Sequence, residues 1–296
     1  MSTLRVTQGM LVGRSLDSLQ ASYERLAAAQ EQVSSGRRIN RPSDSPTDTA
    51  VAMRVRASLK SVEQYTRNAQ DGIGRLGTVD QALSDVTDEL SRAREIAIAG
   101  ANTAASSPES RAALATELEQ IRGGLLDAAN TTYLSRPVFG GVTAGTAAFD
   151  SAGNFVGVTG QITRQVGDTV KVRVDADGQA VFGDGATSIF ADLDNLATAL
   201  RAGNAAGIQT GLAAITARMS TVSTAHADVG GAYKRIEQAQ STIESQQLDL
   251  SSALSEVENV DIARASVNLN LQQMAYQAAL ASTARVMQPS LLDFLH

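Results

Sequence analysis

Seven residues separate each member of the series Ile215, Val222, Val229, Ile236, Ile243, Leu250 and Val257 from the next. An apolar side chain at every seventh position, held this long, requires a continuous helix that keeps one face against a partner helix. The companion positions of the seam are Met219, His226, Tyr233, Gln240, Gln247 and Leu254. At 1.5 Å of rise per residue this ladder predicts a rod of about 65 Å. Polar companions lower stability but fix the register and orientation of the pairing. The rod seam expected here therefore contains Val222, His226, Val229, Ile236, Ile243 and Leu250.

The start of the chain supplies partners of similar length. Leu16, Leu19, Tyr23, Leu26, Gln30 and Val33 recur at three and four, which predicts a helix over 4–33. Ser34-Ser35-Gly36 closes it, with Gly36 expected in the left-handed conformation. Arg37 to Pro46 is a loop, because Pro42 and Pro46 disfavour helix at the residues before them. A second helix starts near Pro46 and runs to about Gly100, with Val51, Val55, Leu59, Val62, Leu76, Val79, Leu83, Val86, Leu90 and Ile96 inward. After a turn over 102–108, Glu109 to Asn130 is a third helix, and Ser188 to Arg201 is another.

Between these last two helices glycine becomes frequent and the period changes to two. Val170, Val172 and Val174 alternate with Lys171 and Arg173, as in a strand. Asp175 to Gly178 reads as a turn, with Gln179 to Phe182 as the returning strand and Asp150 to Asn154 as another hairpin tip. The expected fold is mainly α with a small β-rich insert, its N- and C-terminal segments forming long antiparallel helical rods. Only 4% of residues are aromatic and there is no Trp, so the expected core is Ala, Leu and Val, poor in rings.

Near the end, Ala265 to Ala284 contains no charged residue. That length could span a bilayer, but Asn268, Asn270, Gln272, Gln273 and Gln277 would each need a partner in hydrocarbon, so no membrane insertion is expected. The alternative is a helix packed on other helices of this chain or of other copies. Val267, Leu271, Met274, Ala278 and Ala281 form one stripe, and Leu269, Tyr276 and Leu280 are apolar on other faces. A helix apolar on several sides points to assembly.

Other function classes find little support. The net charge is -6, too mild and of the wrong sign for a nucleic-acid partner. With no Cys, neither disulfides nor thiolate chemistry is available. The opening MSTLRVTQGM lacks the basic start and apolar run of a cleaved signal peptide, which predicts a cytoplasmic chain or export by another route. Gly72-Ile-Gly-Arg-Leu-Gly77 spells GxGxxG, yet a helical pattern lies on both sides and the dinucleotide fingerprint needs a strand before it. Asp175, Asp177 and Asp184 lack the further ligands of a calcium loop and read as turn residues. The two histidines, His226 and His296, offer no catalytic constellation, so neither an enzyme nor a cofactor is expected. Arg37, Arg38 and Arg41 are a small basic cluster, suited to neutralising helix ends or meeting carboxylates of a neighbouring copy.

Three stretches carry a specific resemblance. Ser34-Ser-Gly-Arg37-Arg38-Ile39-Asn40-Arg41-Pro42-Ser-Asp-Ser-Pro46 resembles the SSG-x-R-I-N loop of the flagellin superfamily. Arg67-Asn-Ala-Gln-Asp-Gly-Ile73 and Leu90-Ser-Arg-Ala-Arg-Glu-Ile-Ala97 resemble its second conserved helix. Pro42 to Pro46 in place of Asp-Asp-Ala-Ala-Gly, and the ending Gln288-Pro-Ser-Leu-Leu-Asp-Phe-Leu295, are nearer the hook-associated protein 3 branch than flagellin itself, the alternative. Ser135-Arg-Pro137 departs from the pattern, where Tyr-Leu is expected to run directly into Phe-Gly, and suggests a lengthened connection.

The resemblance implies a structural subunit exported without signal cleavage through the flagellar type III channel, and located outside the cell at the hook–filament junction. It implies tube-wall coiled-coil helices at 1–40 and 258–296, a helical rod at 41–131 and 187–257, and an outer insert at 132–186. Implied partners are other copies, hook-associated protein 1, flagellin and an export chaperone on the C-terminal helix. The assembly residues expected are Leu16, Leu19, Leu26, Val267, Leu271, Met274, Leu280, Leu291, Leu292 and Phe294, with Arg37, Arg38, Ile39, Asn40, Pro42 and Pro46 forming the loop motif.

Overall fold

Apolar spacing of three and four dominates the chain, and the computed structural model, which describes residues 8–102 and 107–287, is correspondingly helical. Helix α1 spans Gln8–Ser35, α2 Pro46–Ala101, α3 Pro108–Ala129, α5 Ile189–Ala202, α6 Ala205–Glu258 and α7 Ile262–Met287. Two compact units divide the chain, one made of residues 1–61 with 247–296 and the other of 62–246.

In the second unit, parts of α2 and α6 join α3 and α5 in an antiparallel four-helix bundle. His226 meets Asp80 at 2.7 Å, and a side chain added at Gly72 would strike Ile236, so α2 and α6 run in opposite directions. Arg92 bonds Glu117 across α2 and α3, Arg122 bonds Asp194 across α3 and α5, and Arg218 bonds Asp192 across α5 and α6. Ile215, Val222, Val229, Ile236 and Ile243 are all buried, as are Leu76, Val79, Leu83, Val86 and Leu90 of α2. Leu250 and Val257 are half-buried.

The insert is less β-rich than its sequence suggests. Strands β1 (Thr132–Tyr133) and β2 (Arg136–Pro137) form one hairpin, β3 (Thr163–Gln165) and β4 (Lys171–Arg173) another. The lengthened connection at Ser135 to Pro137 is the turn and second strand of the first hairpin. Gln179 to Phe182, read as a strand, instead belongs to a short helix, α4 (Gly178–Phe182). The cause is Asp177, whose carboxylate accepts from the Ala180 N–H and caps the turn, a competition that an alternating pattern does not reveal. Asp150 accepts from the Asn154 side-chain amide and from the N–H groups of Asn154 and Ala152, which closes the expected tip at 150–154, and the Asn154 amide bond, then its backbone bond, hold the Asp150 carboxyl below the ordinary range.

A second departure is aromatic. Phe139, Phe149, Phe155, Phe182 and Phe190, five of the six phenylalanines in the sequence, make edge-to-face and stacked contacts with centroids 5.0–6.2 Å apart. Short strands bury little by themselves, and this cluster gives the insert its own core. Asn130, the C-cap of α3, ties it to the bundle. Its side-chain oxygen accepts from the Ala148 and Phe149 N–H groups, and its amide donates to the Phe149 carbonyl. Asn130→Ala is expected to lower the unfolding free energy by about 2–3 kcal/mol, since two backbone N–H groups lose their partner. Urea denaturation of both proteins measures the difference, and a change within error would refute the role.

One cation is buried beneath the first hairpin. Arg75 donates to the Pro137 carbonyl at 3.3 Å, and burial pulls its guanidinium below the ordinary arginine value, with Asp175 opposing.

Candidate assembly surface

In the first unit, α1 and α7 pack antiparallel, with the rings of Tyr23 and Tyr276 6.0 Å apart. The less exposed residues mark the face that each helix turns inward. On α7 they are Ala265, Leu269, Gln272, Tyr276, Ala279 and Thr283, spaced four, three, four, three and four. On α1 they are Ser15, Leu19, Ser22, Leu26, Ala29 and Val33. The most buried members, Ser22, Ala29, Ala265 and Thr283, are small, so the two backbones approach closely.

The predicted stripes are therefore distributed. Leu19 and Leu26 lie in this seam, whereas Leu16 and Tyr23, one position further on, are exposed. On α7 the stripe of Val267, Leu271 and Met274 faces away, 66%, 55% and 62% exposed, and Leu280 is 42% exposed. The stripe lies two positions on from the inward seam, or about 200° around the helix, whereas Leu280 is one position on from Ala279 and lies on a different face. Leu291, Leu292 and Phe294 lie outside the described residues. The inward seam mixes Leu19, Leu26, Val33, Leu269 and Tyr276 with small or polar residues, so its hydrophobic signal is weaker than that of the outer stripe. Helix α7 is apolar on two opposite sides.

The loop motif fastens this unit at one end. Gly36 takes φ +68°, and its carbonyl accepts from the Val260 N–H at 3.0 Å. Arg38 N–H donates to the Glu258 carbonyl, and its guanidinium donates to the Val257 carbonyl at 2.9 Å. Arg38 thus serves the carbonyls and negative dipole at the C-terminus of α6. The cluster's carboxylate partners lie in the same chain, Asp48 for Arg38 and Glu31 for Arg41. Asp44 accepts from the Asn40 and Arg41 N–H groups, holding the turn. Ile39 and Asn40 are half-buried and Pro42 and Pro46 exposed.

The remaining motifs have packing roles. Gly72 and Gly74 make room for Ile236 and Tyr133 within α2. Asp175 pairs with Arg173, Asp177 caps α4, and Asp184 accepts from the Phe155 N–H. Among the described residues no group of three His, Cys, Asp or Glu could hold a metal, and no helix is long and apolar enough to cross a membrane.

Residues 10–139 match the bacterial flagellin N-terminal helical region and residues 212–295 the bacterial flagellin C-terminal helical region. The chain belongs to the bacterial flagellin family. It is 27% identical to flagellar hook-associated protein 3 of Escherichia coli K12, over 93% of this chain and 95% of that protein. To the flagellin of Bacillus subtilis 168 it is 25% identical, over 96% and 97%. A putative flagellar hook-associated protein from Vibrio parahaemolyticus shares the fold with a TM-score of 0.68 at 20% identity, over 73% of this chain and all of that one. FlgL of Bacillus cereus superposes with a TM-score of 0.60 at 19% identity, over 68% and 99%. The protein is a flagellin-family structural component of the flagellum, homologous to hook-associated protein 3.

Proposed function

We propose that this chain is the subunit of the hook–filament junction, joining hook-associated protein 1 on one side to flagellin on the other. The observation that carries the reading is the apolar stripe of α7, open on the side opposite its seam with α1. Three large side chains left more than half exposed on one face of a helix, Val267, Leu271 and Met274, are suited to burial against neighbouring subunits. The likeness to hook-associated protein 3 along nearly the whole of both chains supports the junction in particular. In this reading residues 1–40 and 258–296 line the tube, 41–131 with 187–257 surround it, and 132–186 lie outermost. The chain leaves the cell through the flagellar export channel without signal cleavage, and a chaperone covers α7 until then. No catalytic step or cofactor belongs to it.

The second reading, flagellin itself, is favoured by the equally long likeness to the Bacillus subtilis protein. One experiment separates them. Epitope-tagged chain located by immunogold on sheared flagella is expected at a single point next to the hook. Label along the whole filament would replace the junction with flagellin.

A further inference from the structure

Leu134 is the most exposed large apolar side chain among the described residues, at 76%, and it sits at the tip of the β1–β2 hairpin. It also has a left-handed backbone, φ +49°, followed by Ser135 at +63°. Positive φ at both central residues is the pattern of a type I′ turn, which Asn-Gly satisfies without strain. Leucine there is strained by its backbone and unfavourable by its exposure, and it makes no core contact in return. Strain at an exposed apolar tip points to a role outside the chain. The hairpin is held stiffly beneath: Tyr133 fits over Gly74, and the Pro137 carbonyl accepts from buried Arg75.

The same unit has a groove of ≈ 550 Å³ with a floor of Leu76, Val181, Val229 and Ala232. Gly231 lines it, and a side chain added there would meet nothing within 4 Å. A glycine inside a long helix is less favourable than alanine, and nothing in this chain's own packing requires it here. Arg173 pairs with Asp175, leaving Asp177 and Asp228 against Arg235 at the rim, a net negative edge. The hairpin brings exposed Arg136 beside Leu134. Gly74, under the hairpin, and Leu76, in the groove, are two positions apart, about 200° around α2. Knob and groove thus occupy opposite sides of one helix at one level, and the hairpin cannot fill its own groove.

We infer that Leu134 of one copy inserts into the groove beside Gly231 of the next, with Arg136 meeting Asp177 and Asp228. A contact between two different patches is head-to-tail and propagates from copy to copy. It rests on the flagellar reading above.

Because the chain has no cysteine, cross-linking tests it directly. Leu134→Cys and Gly231→Cys are made separately and co-expressed as the only copies in motile cells, and sheared flagella are oxidised. A disulfide-linked pair containing both variants is expected at about tenfold the yield of Leu134→Cys with exposed Ser241→Cys, from the higher effective concentration. Chain present in the flagella without that band overturns the contact alone. Chain absent from the flagella overturns the flagellar reading and the contact with it. A band joining Leu134→Cys to a different protein also overturns it, placing the hairpin on another component. Leu134→Asn supplies a second test on the purified chain. Asparagine tolerates the left-handed turn, so Tm is expected to rise by about 2–4 °C. A fall in Tm would make Leu134 a packing residue and overturn the inference.

Discussion

Leu271→Asp combined with Met274→Asp leaves the thermal unfolding of the isolated chain nearly unchanged and removes the chain from assembled flagella. Both side chains are more than half exposed on the outer stripe of α7, where substitutions ordinarily change stability by about 0.5 kcal/mol or less. In an assembly that covers the stripe the balance is different. Fully burying a large apolar side chain is worth about 1.5–3 kcal/mol, so the half still exposed on Val267, Leu271 and Met274 amounts to about 2–4.5 kcal/mol in all. Two carboxylates in that contact forfeit about two thirds of this and must also be desolvated without partners, at several kcal/mol each. Every 1.4 kcal/mol is tenfold in affinity, so incorporation is expected to fall at least a hundredfold. Calorimetry and an immunoblot of sheared flagella measure the two halves. Normal incorporation would show that the stripe is not an assembly surface, and a collapsed Tm would show that it is part of the chain's own core.

The opposite pattern is expected at Phe182. It is fully buried and in ring contact with Phe139, Phe149 and Phe190. Phe182→Ala removes the whole ring from the centre of the cluster, where a phenylalanine truncation costs about 3–5 kcal/mol. For a unit of this size that corresponds to a Tm lower by roughly 6–20 °C. Phe182→Leu, which keeps much of the volume, is expected to lose less than half as much. Urea titrations of both variants decide it; a Phe182→Ala loss below about 1 kcal/mol would mean that the insert does not depend on its aromatic core.

Periodicity made the bundle readable. Ile215 to Ile243 and Leu76 to Leu90 announce helices with one apolar face because seven- and four-three spacing repeats with the helical turn, and the structure buries those faces. Gly36 was readable for a similar reason, since its left-handed backbone follows from the stop it imposes. The insert was not. Its core assembles from phenylalanines up to fifty-one positions apart, and no local window links Phe139 to Phe190. α4 depends on one side-chain bond from Asp177. In the candidate surface, the outer stripe of α7 was visible as letters, but its orientation was not. That depends on Ser22, Ala29, Ala265 and Thr283, the most buried members of the seam, whose advantage is their small size, which hydropathy does not register.

That seam, and the bonds from Gly36 and Arg38 to Val257, Glu258 and Val260, bear on how α7 is aimed. A helix apolar on two opposite sides has two ways of lying on α1, related by a half-turn about its axis. Hydropathy alone would leave both populated, as a roll between equivalent settings. The bonds at the loop fix the entry angle of α7 within a few residues of its start, and Ala265 then fits only the close-approach setting. The loop is therefore an orientation key, and every copy displays the same side.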